Sequence, residues 1–416
     1  MDFRRASPTP GSVTAATRLL DEVIVRLFQR IALALCVFAA GSGMVYAQSA
    51  GESKSQRSTE NGSPRWLDQY REPASRLIGA AMVDSFAWRR LAELTDGIGN
   101  RLSGTPELSR AIDWALAEMK RDGLENVHAE PVMVPRWVRG RESAEIVEPA
   151  HHPIAMLGLG DSVGTPDAGI QAEAIVVRSF QELDAASSRV HGKIVVFNVP
   201  FTTYEQTRPY RSDAPSRAAQ LGAVAVLVRS VGPAGLRLAH TGSLSYAANT
   251  AKIPGAAIAS EDADRLQRMS DRGGRIVLRL KMEAHFEADV ASANVVGELR
   301  GRENPDEFVV IGGHIDSWDV GAGASDDGGG IVATWEALRL IKSLGLRPRR
   351  TLRVVLWTNE ENGARGGRAY RDQHLAELLT PESVCFICGP PAMCTDIPQA
   401  LTRLGIPRDR ILTEDW

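Results

Sequence analysis

The sequence predicts an α/β fold interrupted by a strand-rich unit. Three observations predict it. Phe308-Val309-Val310-Ile311 reads as a buried strand, Gly329 to Ile341 as a helix, and Thr351 to Trp357 as a second strand. Strands linked through a helix pair in parallel with a right-handed crossover. Residues 65–127 read as helices, and residues 140–290 change to short β-type runs separated by turn signals. With 416 residues, 44% of them apolar, the chain is long enough for two or three domains. A net charge of −3 argues against a protein that binds nucleic acid by neutralising phosphates. Four Cys exclude a disulfide scaffold, and no heptad or repeat period is visible.

The elements follow in order. Residues 1–47 read as a signal peptide: Arg26 and Arg30 precede the apolar run Ile31 to Ala40, and Val45-Tyr46-Ala47 offers a cleavage site before Gln48. The run is too short for a comfortable membrane span, so export to the periplasm or outside is expected, with no stable span after cleavage. The alternative is a retained membrane anchor. Export also suits the absence of Cys from residues 48–384. Residues 48–64 are polar and read as a linker. The first catalytic segment is expected over 65–139. It holds a helix from Ser85, a loop from Gly97 to Pro106, a helix from Ser109 to Met119 with Ser109 as N-cap, and a strand from Asn126 to Val134. The insert, 140–290, holds strands beginning near Ala174, Lys193, Ala223, Gly255 and Arg275, with one clear helix, Pro215 to Leu221. The second catalytic segment is expected over 291–380, and a foreign-looking tail over 381–416.

The chemistry lies at the ends of the two later strands. The first runs into Gly312-Gly313-His314-Ile315-Asp316 and continues to Asp326-Asp327-Gly328-Gly329-Gly330. The second ends in Thr358-Asn359-Glu360-Glu361-Asn362-Gly363. The carboxyl ends of parallel strands are where sites form. His314 and Asp316 are two apart on extended chain and point the same way, which suits a His ligand supported by a carboxylate. Asp326 sits where it can reach between two cations. Adjacent Glu360 and Glu361 cannot share one direction, so one can bind metal while the other acts as a base. Two zinc ions about 3.5–4 Å apart can hold and activate a bridging water. Singly, these residues read as a structural His, a solvated Glu pair and a helix-capping Asp pair. Gly328 to Gly330 could also cradle phosphate, but no P-loop Lys follows and the acids would repel it. Convergence at matching strand edges favours a metal site.

These two motifs resemble the co-catalytic zinc exopeptidases, and within them the carboxypeptidase Q (plasma glutamate carboxypeptidase) branch. Arg101-Leu102-Ser103-Gly104, Asp122 to His128, Ser292 to Leu299 and Leu221 to Arg229 share the resemblance, the last within a protease-associated (PA) domain. The resemblance implies a doubly wound zinc-exopeptidase sheet, C-terminally truncated, with an inserted PA-like domain. It implies two zinc ions, with His314 a ligand of one, Asp326 the bridge and Glu361 a ligand of the other. Glu360 becomes the general base and Asp316 the acid supporting the His. The substrate would be a dipeptide or peptide end, and the resemblance is compatible with a homodimer. Two further ligands are implied beyond Glu361. An Asp would fall where this chain has Cys388, and a later His would follow, but His374 is the last His in the sequence. Activity is therefore expected to be impaired or absent. The tail, Val384 to Met393 and onward, resembles the end of a ferredoxin-reductase-type NAD(P)-binding domain, although no binding of NAD(P) is expected from it. Cys385 and Cys388 read as structural. The alternatives left open are a catalytically dead binding scaffold and an NAD(P)-linked reductase fragment.

Overall fold

A computed structural model describes residues 68–378, 383, 385–389, 398–399, 401–403 and 405–415. The expected signal peptide and linker lie outside the described residues, as does the Pro390-Pro391 turn of the tail. The described chain opens with helices α1 (Asp68–Val83), α2 (Phe86–Gly97) and α3 (Pro106–Arg121), then strand β1 (Glu125–Val138). The insert carries β2 (Glu142–Glu148), β3 (His152–Ile154), β4 (Met156–Gly158), β5 (Ile170–Val177), α4 (Phe180–Ala185), β6 (Ile194–Phe197), α5 (Tyr204–Ser212), α6 (Ala214–Gln220), β7 (Ala225–Arg229), β8 (Gly255–Ile258), α7 (Ser260–Asp271) and β9 (Val277–Met282). The chain returns through β10 (His285–Leu299), β11 (Asn304–His314), α8 (Gly329–Ser343), β12 (Arg350–Trp357) and α9 (Arg365–Leu378). β13 (Cys385–Gly389) and β14 (Ile411–Asp415) form a separate parallel pair in the tail.

Helix α3 corrects one expectation. It begins a turn before Ser109, with Thr105 as N-cap accepting a bond from Leu108 N at 3.3 Å. Pro106 supplies the fixed φ and lacks the N–H that a first helical residue would leave unpaired. The insert corrects another. Four helices, not one, lie among its described residues, and β5 to β8 pair in parallel. Its short helices hide in the sequence because their apolar faces are small. In α5, Thr207, Arg211 and Ser212 are the buried residues.

Among the described residues the first sheet runs β1-β10-β12-β11 and the insert sheet runs β3-β2-β9-β5-β6-β7-β8-β4. In the first sheet β11 and β12 are parallel, as the helix between them requires, while β10 is antiparallel to both its neighbours. Helices cover both faces. Val295, Val354 and Leu356 pack under α2, α3 and α8. Their chain neighbours Val296 and Val355 point the other way, against Tyr370 of α9. Trp335 of α8 centres the first of these cores, fully buried, with edge contacts to Phe86 at 6.3 Å and Trp114 at 5.6 Å. No helix among the described residues is long and apolar enough to cross a membrane.

Two features of the fold set up the site. His314 and Trp357 are register partners at the carboxyl ends of β11 and β12, so the loops that follow them meet. Trp318, from the loop after β11, is buried in the insert's core. It stacks so close to Gly160 that a Cβ there would lie 2.0 Å from the indole. Trp335→Ala should cost about 3–5 kcal/mol of stability, from lost burial and the cavity left behind. Chemical denaturation read against the unchanged chain checks this.

Candidate metal centre

His314 ends β11 with both ring nitrogens committed in direction. Nδ1 donates to the Asp316 carbonyl at 3.0 Å, which turns Nε2 toward Asp326 Oδ1, also at 3.0 Å. Asp326 stands in the loop before α8, exposed to a cleft. Its neighbour Asp327 turns inward and accepts the His314 backbone N–H at 3.0 Å. That carboxylate explains the flanking glycines. A Cβ at Gly313 or at Gly330 would lie 2.1 Å from one of its oxygens. Asp327 thus locks the helix entry to the strand end, a role the sequence reading did not assign.

Asp316 has no exposed surface and joins the two loops. Its carboxylate accepts the backbone N–H of Glu360 at 2.9 Å and of Glu361 at 3.2 Å. Oδ1 lies 3.7 Å from His314 Nδ1, and Ser103 Oγ donates to Oδ2 at 3.4 Å. Burial pushes this carboxyl above its ordinary value, against the amide bonds that favour the charged form. The turn that presents the two glutamates is made by Asn359, buried, with φ 59°. Asn tolerates that left-handed backbone better than most residues. Asn359 Nδ2 donates to Ser103 Oγ at 3.0 Å and to Asn362 Oδ1 at 2.7 Å, and its Oδ1 accepts from Arg365 N at 3.1 Å.

Arg101 secures the first loop from beneath. It is fully buried, and its guanidinium donates to four carbonyls: Ile315 at 2.9 Å, Gly99 at 2.7 Å, Ala322 at 2.8 Å and Gly323 at 3.1 Å. Burial lowers it to about 10, with the charges of Asp316 and Glu361 opposing. In the sequence Arg101 stands in a Gly- and Pro-containing stretch that reads as loop. No residue-level signal there announces a buried cation.

The structure brings the five sequence-derived site residues together. His314, Asp326 and Glu361 each offer a donor atom, and the three lie within 4.8 Å of one another. This is the one such group of His, Cys, Asp and Glu among the described residues. Glu360 Oε2 lies 4.0 Å from His314 Nε2. The electrostatics ask for a cation. Burial, then the charge of Asp326, lifts Glu361 to about 8. Burial acts to lower His314, but its bond to Asp326 and the charges of Asp316, Glu360 and Asp327 outweigh it and lift the imidazole to about 9. A set of acids around one imidazole, holding protons it would release to a dication, fits a metal ion. The centre floors a cleft of about 900 Å³ whose far wall is built by α5 and residues 231–243 of the insert.

A floor of this kind, at the ends of parallel strands and open to a cleft, can hold a metal ion within reach of a substrate. Residues 294–384 match the profile of Peptidase family M28. The chain is 45% identical to carboxypeptidase Q of Bos taurus over 352 residues, 84% of this chain and 74% of that protein. The solved structure of a peptidase M28 precursor from Shewanella amazonensis aligns with TM-score 0.73 and 31% identity, covering 84% of this chain and 83% of the other. A zinc aminopeptidase from Bacillus subtilis shares the fold at TM-score 0.56 and 20% identity, covering 79% of each chain. The chain belongs to peptidase family M28 and is, by family, a zinc-dependent exopeptidase.

Two outcomes follow from the geometry. Asp316→Ala should weaken zinc binding about 10- to 100-fold by freeing the glutamate loop and the His314 ring. Equilibrium zinc titration against a competing chelator measures it. Zinc binding near pH 7 should release protons, because His314 holds its proton below about 9 and Glu361 below about 8 without metal. Affinity should therefore tighten as pH rises from 6 to 9. Calorimetry in buffers of different ionisation enthalpy reads the proton count.

Proposed function

We propose that the chain is an exported zinc exopeptidase that hydrolyses dipeptides or peptide ends, with Glu360 as general base. The observation that carries this is the meeting of His314, Asp326 and Glu361 donor atoms beside Glu360 on one cleft floor. His314, Asp326 and Glu361 would hold zinc, which when bound supplies a Lewis acid for the scissile carbonyl and lowers the pKa of water. Glu360 stands outside that set. Desolvation at the floor, then the charges of Asp316, Asp326 and Asp327, raise its carboxyl above the ordinary value. That moves it toward the range in which a carboxylate accepts a proton from attacking water and returns it to the leaving amine. Asp316 holds Glu360 and Glu361 in place through their amides.

Among the described residues three donors converge, fewer than a two-zinc centre needs. The reading is accordingly of a peptidase with impaired turnover and fewer than two zinc ions per chain. Export rests on the apolar run Ile31 to Ala40 and the Val45-Tyr46-Ala47 site.

The test is zinc content and dipeptide hydrolysis by the purified chain. Hydrolysis should be slow, abolished by chelation and restored by zinc. Glu360→Gln should lower kcat by about 10²- to 10⁴-fold while zinc content stays unchanged. Zinc bound without turnover of any dipeptide would overturn the peptidase reading in favour of a binding scaffold.

A further inference from the structure

We propose that Asp161 of the insert is a positioning residue for the glutamate turn, acting through Asn362, Asn359 and Ser103 on Asp316. The proposal deepens the peptidase reading above, on which its catalytic meaning rests. It names what holds Glu360 and Glu361 from the side of the insert.

The hydrogen bonds of this chain can run only one way. Ser103 is fully buried and has one proton to give, and it goes to Asp316 Oδ2 at 3.4 Å. Its oxygen is left to accept, and it takes Asn359 Nδ2 at 3.0 Å. The other side of that amide is fixed too, because Asn359 Oδ1 accepts Arg365 N at 3.1 Å. The second Nδ2 proton goes to Asn362 Oδ1 at 2.7 Å. Asn362 is 6% exposed, so its oxygen is committed to Asn359 and its Nδ2 is turned away. Among the described residues that buried Nδ2 finds no partner at ordinary hydrogen-bond geometry. A buried donor left open is costly. The carboxyl that interacts with this amide is Asp161's. Burial lifts that carboxyl to about 6, and the Asn362 amide opposes the lift.

The backbone delivers Asp161 to this place. It takes a left-handed conformation, φ 67°, between two pinned neighbours. Gly160 donates to the Gly242 carbonyl and accepts from Leu244 N, each at 3.0 Å, with the Trp318 indole lying against it. The Ser162 carbonyl accepts Trp137 Nε1 at 2.9 Å, and the Ser162 hydroxyl accepts Gly255 N at 2.9 Å. At the far end of the relay Asp316 accepts the amides of Glu360 and Glu361. An acceptor at Asp161 therefore orients Asn362, Asn362 orients Asn359, and Asn359 leaves Ser103 to donate to Asp316. Such chains strengthen one another in a buried setting.

Hydrogen exchange by mass spectrometry on the full metal-free chain tests this. It reads the peptide spanning residues 358–363, which carries both glutamate amides. Asp161→Gly removes the carboxyl and suits the left-handed backbone. Asn362→Ala cuts the same chain from the other side. Each should speed exchange of that peptide about 10-fold, with the peptides of core strands β6 and β7 unchanged. Asp161→Asn keeps an acceptor oxygen and should hold exchange within about threefold of the unchanged chain. The double variant, Asp161→Gly with Asn362→Ala, should exchange no faster than the faster single one, because both break one relay. Unchanged exchange in both single variants, additive effects in the double, or Asp161→Asn as fast as Asp161→Gly would overturn the proposal. Equal loosening of the core strands would show a general role in folding and overturn it as well. Turnover plays no part in the measurement, so a chain that hydrolyses no dipeptide would overturn the peptidase reading and leave the relay standing.

Discussion

The buried carboxylate of Asp316 is the constraint on which the site depends. The loop after β11 carries His314 and Asp326, and the loop after β12 carries Glu360 and Glu361. Parallel pairing brings the two loops near each other but does not fix their side chains. Asp316 does so by accepting two consecutive amides of the glutamate loop while lying against the His314 ring. A charge hidden from water is tolerable only when such bonds replace its hydration. Arg101 supplies the balancing positive charge from the other side, tied to the carbonyls of the same loop. The pair acts as a buried frame around which the exposed donors are arranged.

Much of this was legible in the sequence, for physical reasons. Phe308 to Ile311 and Thr351 to Trp357 were legible as strands and lie in β11 and β12, although β11, last in the described sheet order, is half-buried where a buried strand was expected. His314, Asp316, Asp326, Glu360 and Glu361 were legible because strand ends in a parallel sheet are places where acids have no structural reason to gather. The N-terminus of α3 was misplaced because Ser109 is a good cap by type, whereas Thr105-Pro106 is a better one by geometry. Pro215 to Leu221 was legible and is α6, but the other three described helices of the insert escaped; α5, for one, buries polar residues on its inner face. Asp327, Asn359 and Arg101 were not assigned roles, since each acts through backbone bonds to residues distant in sequence or in an unusual turn. Periodicity carries no trace of such bonds. Arg211 escaped for the same reason: a buried cation with no carboxylate partner among the described residues looks in sequence like any surface Arg.

The insert is joined to the catalytic sheet at more than its two chain connections. β1 and β10 form one long antiparallel ladder, from Glu125 against Glu298 in the sheet to Val138 against His285 at the foot of the insert. Trp318 leaves the loop that carries His314 and Asp326 and packs into the insert's core. Arg139, just beyond β1, adds a forked pair with Asp319 at 2.6 and 2.7 Å. The wall bearing Arg211 is thereby held to the floor bearing His314 through side chains adjacent to the site itself.

The seated indole of Trp318 has an entropic consequence. Two walls on a plain hinge would each sample many relative orientations, and a small substrate would have to supply the free energy to still them. Here that freedom is surrendered when the chain folds, because the indole cannot leave the insert's core without exposing a large apolar surface. A small peptide, with few contacts to offer, then spends little of its interaction on ordering the protein.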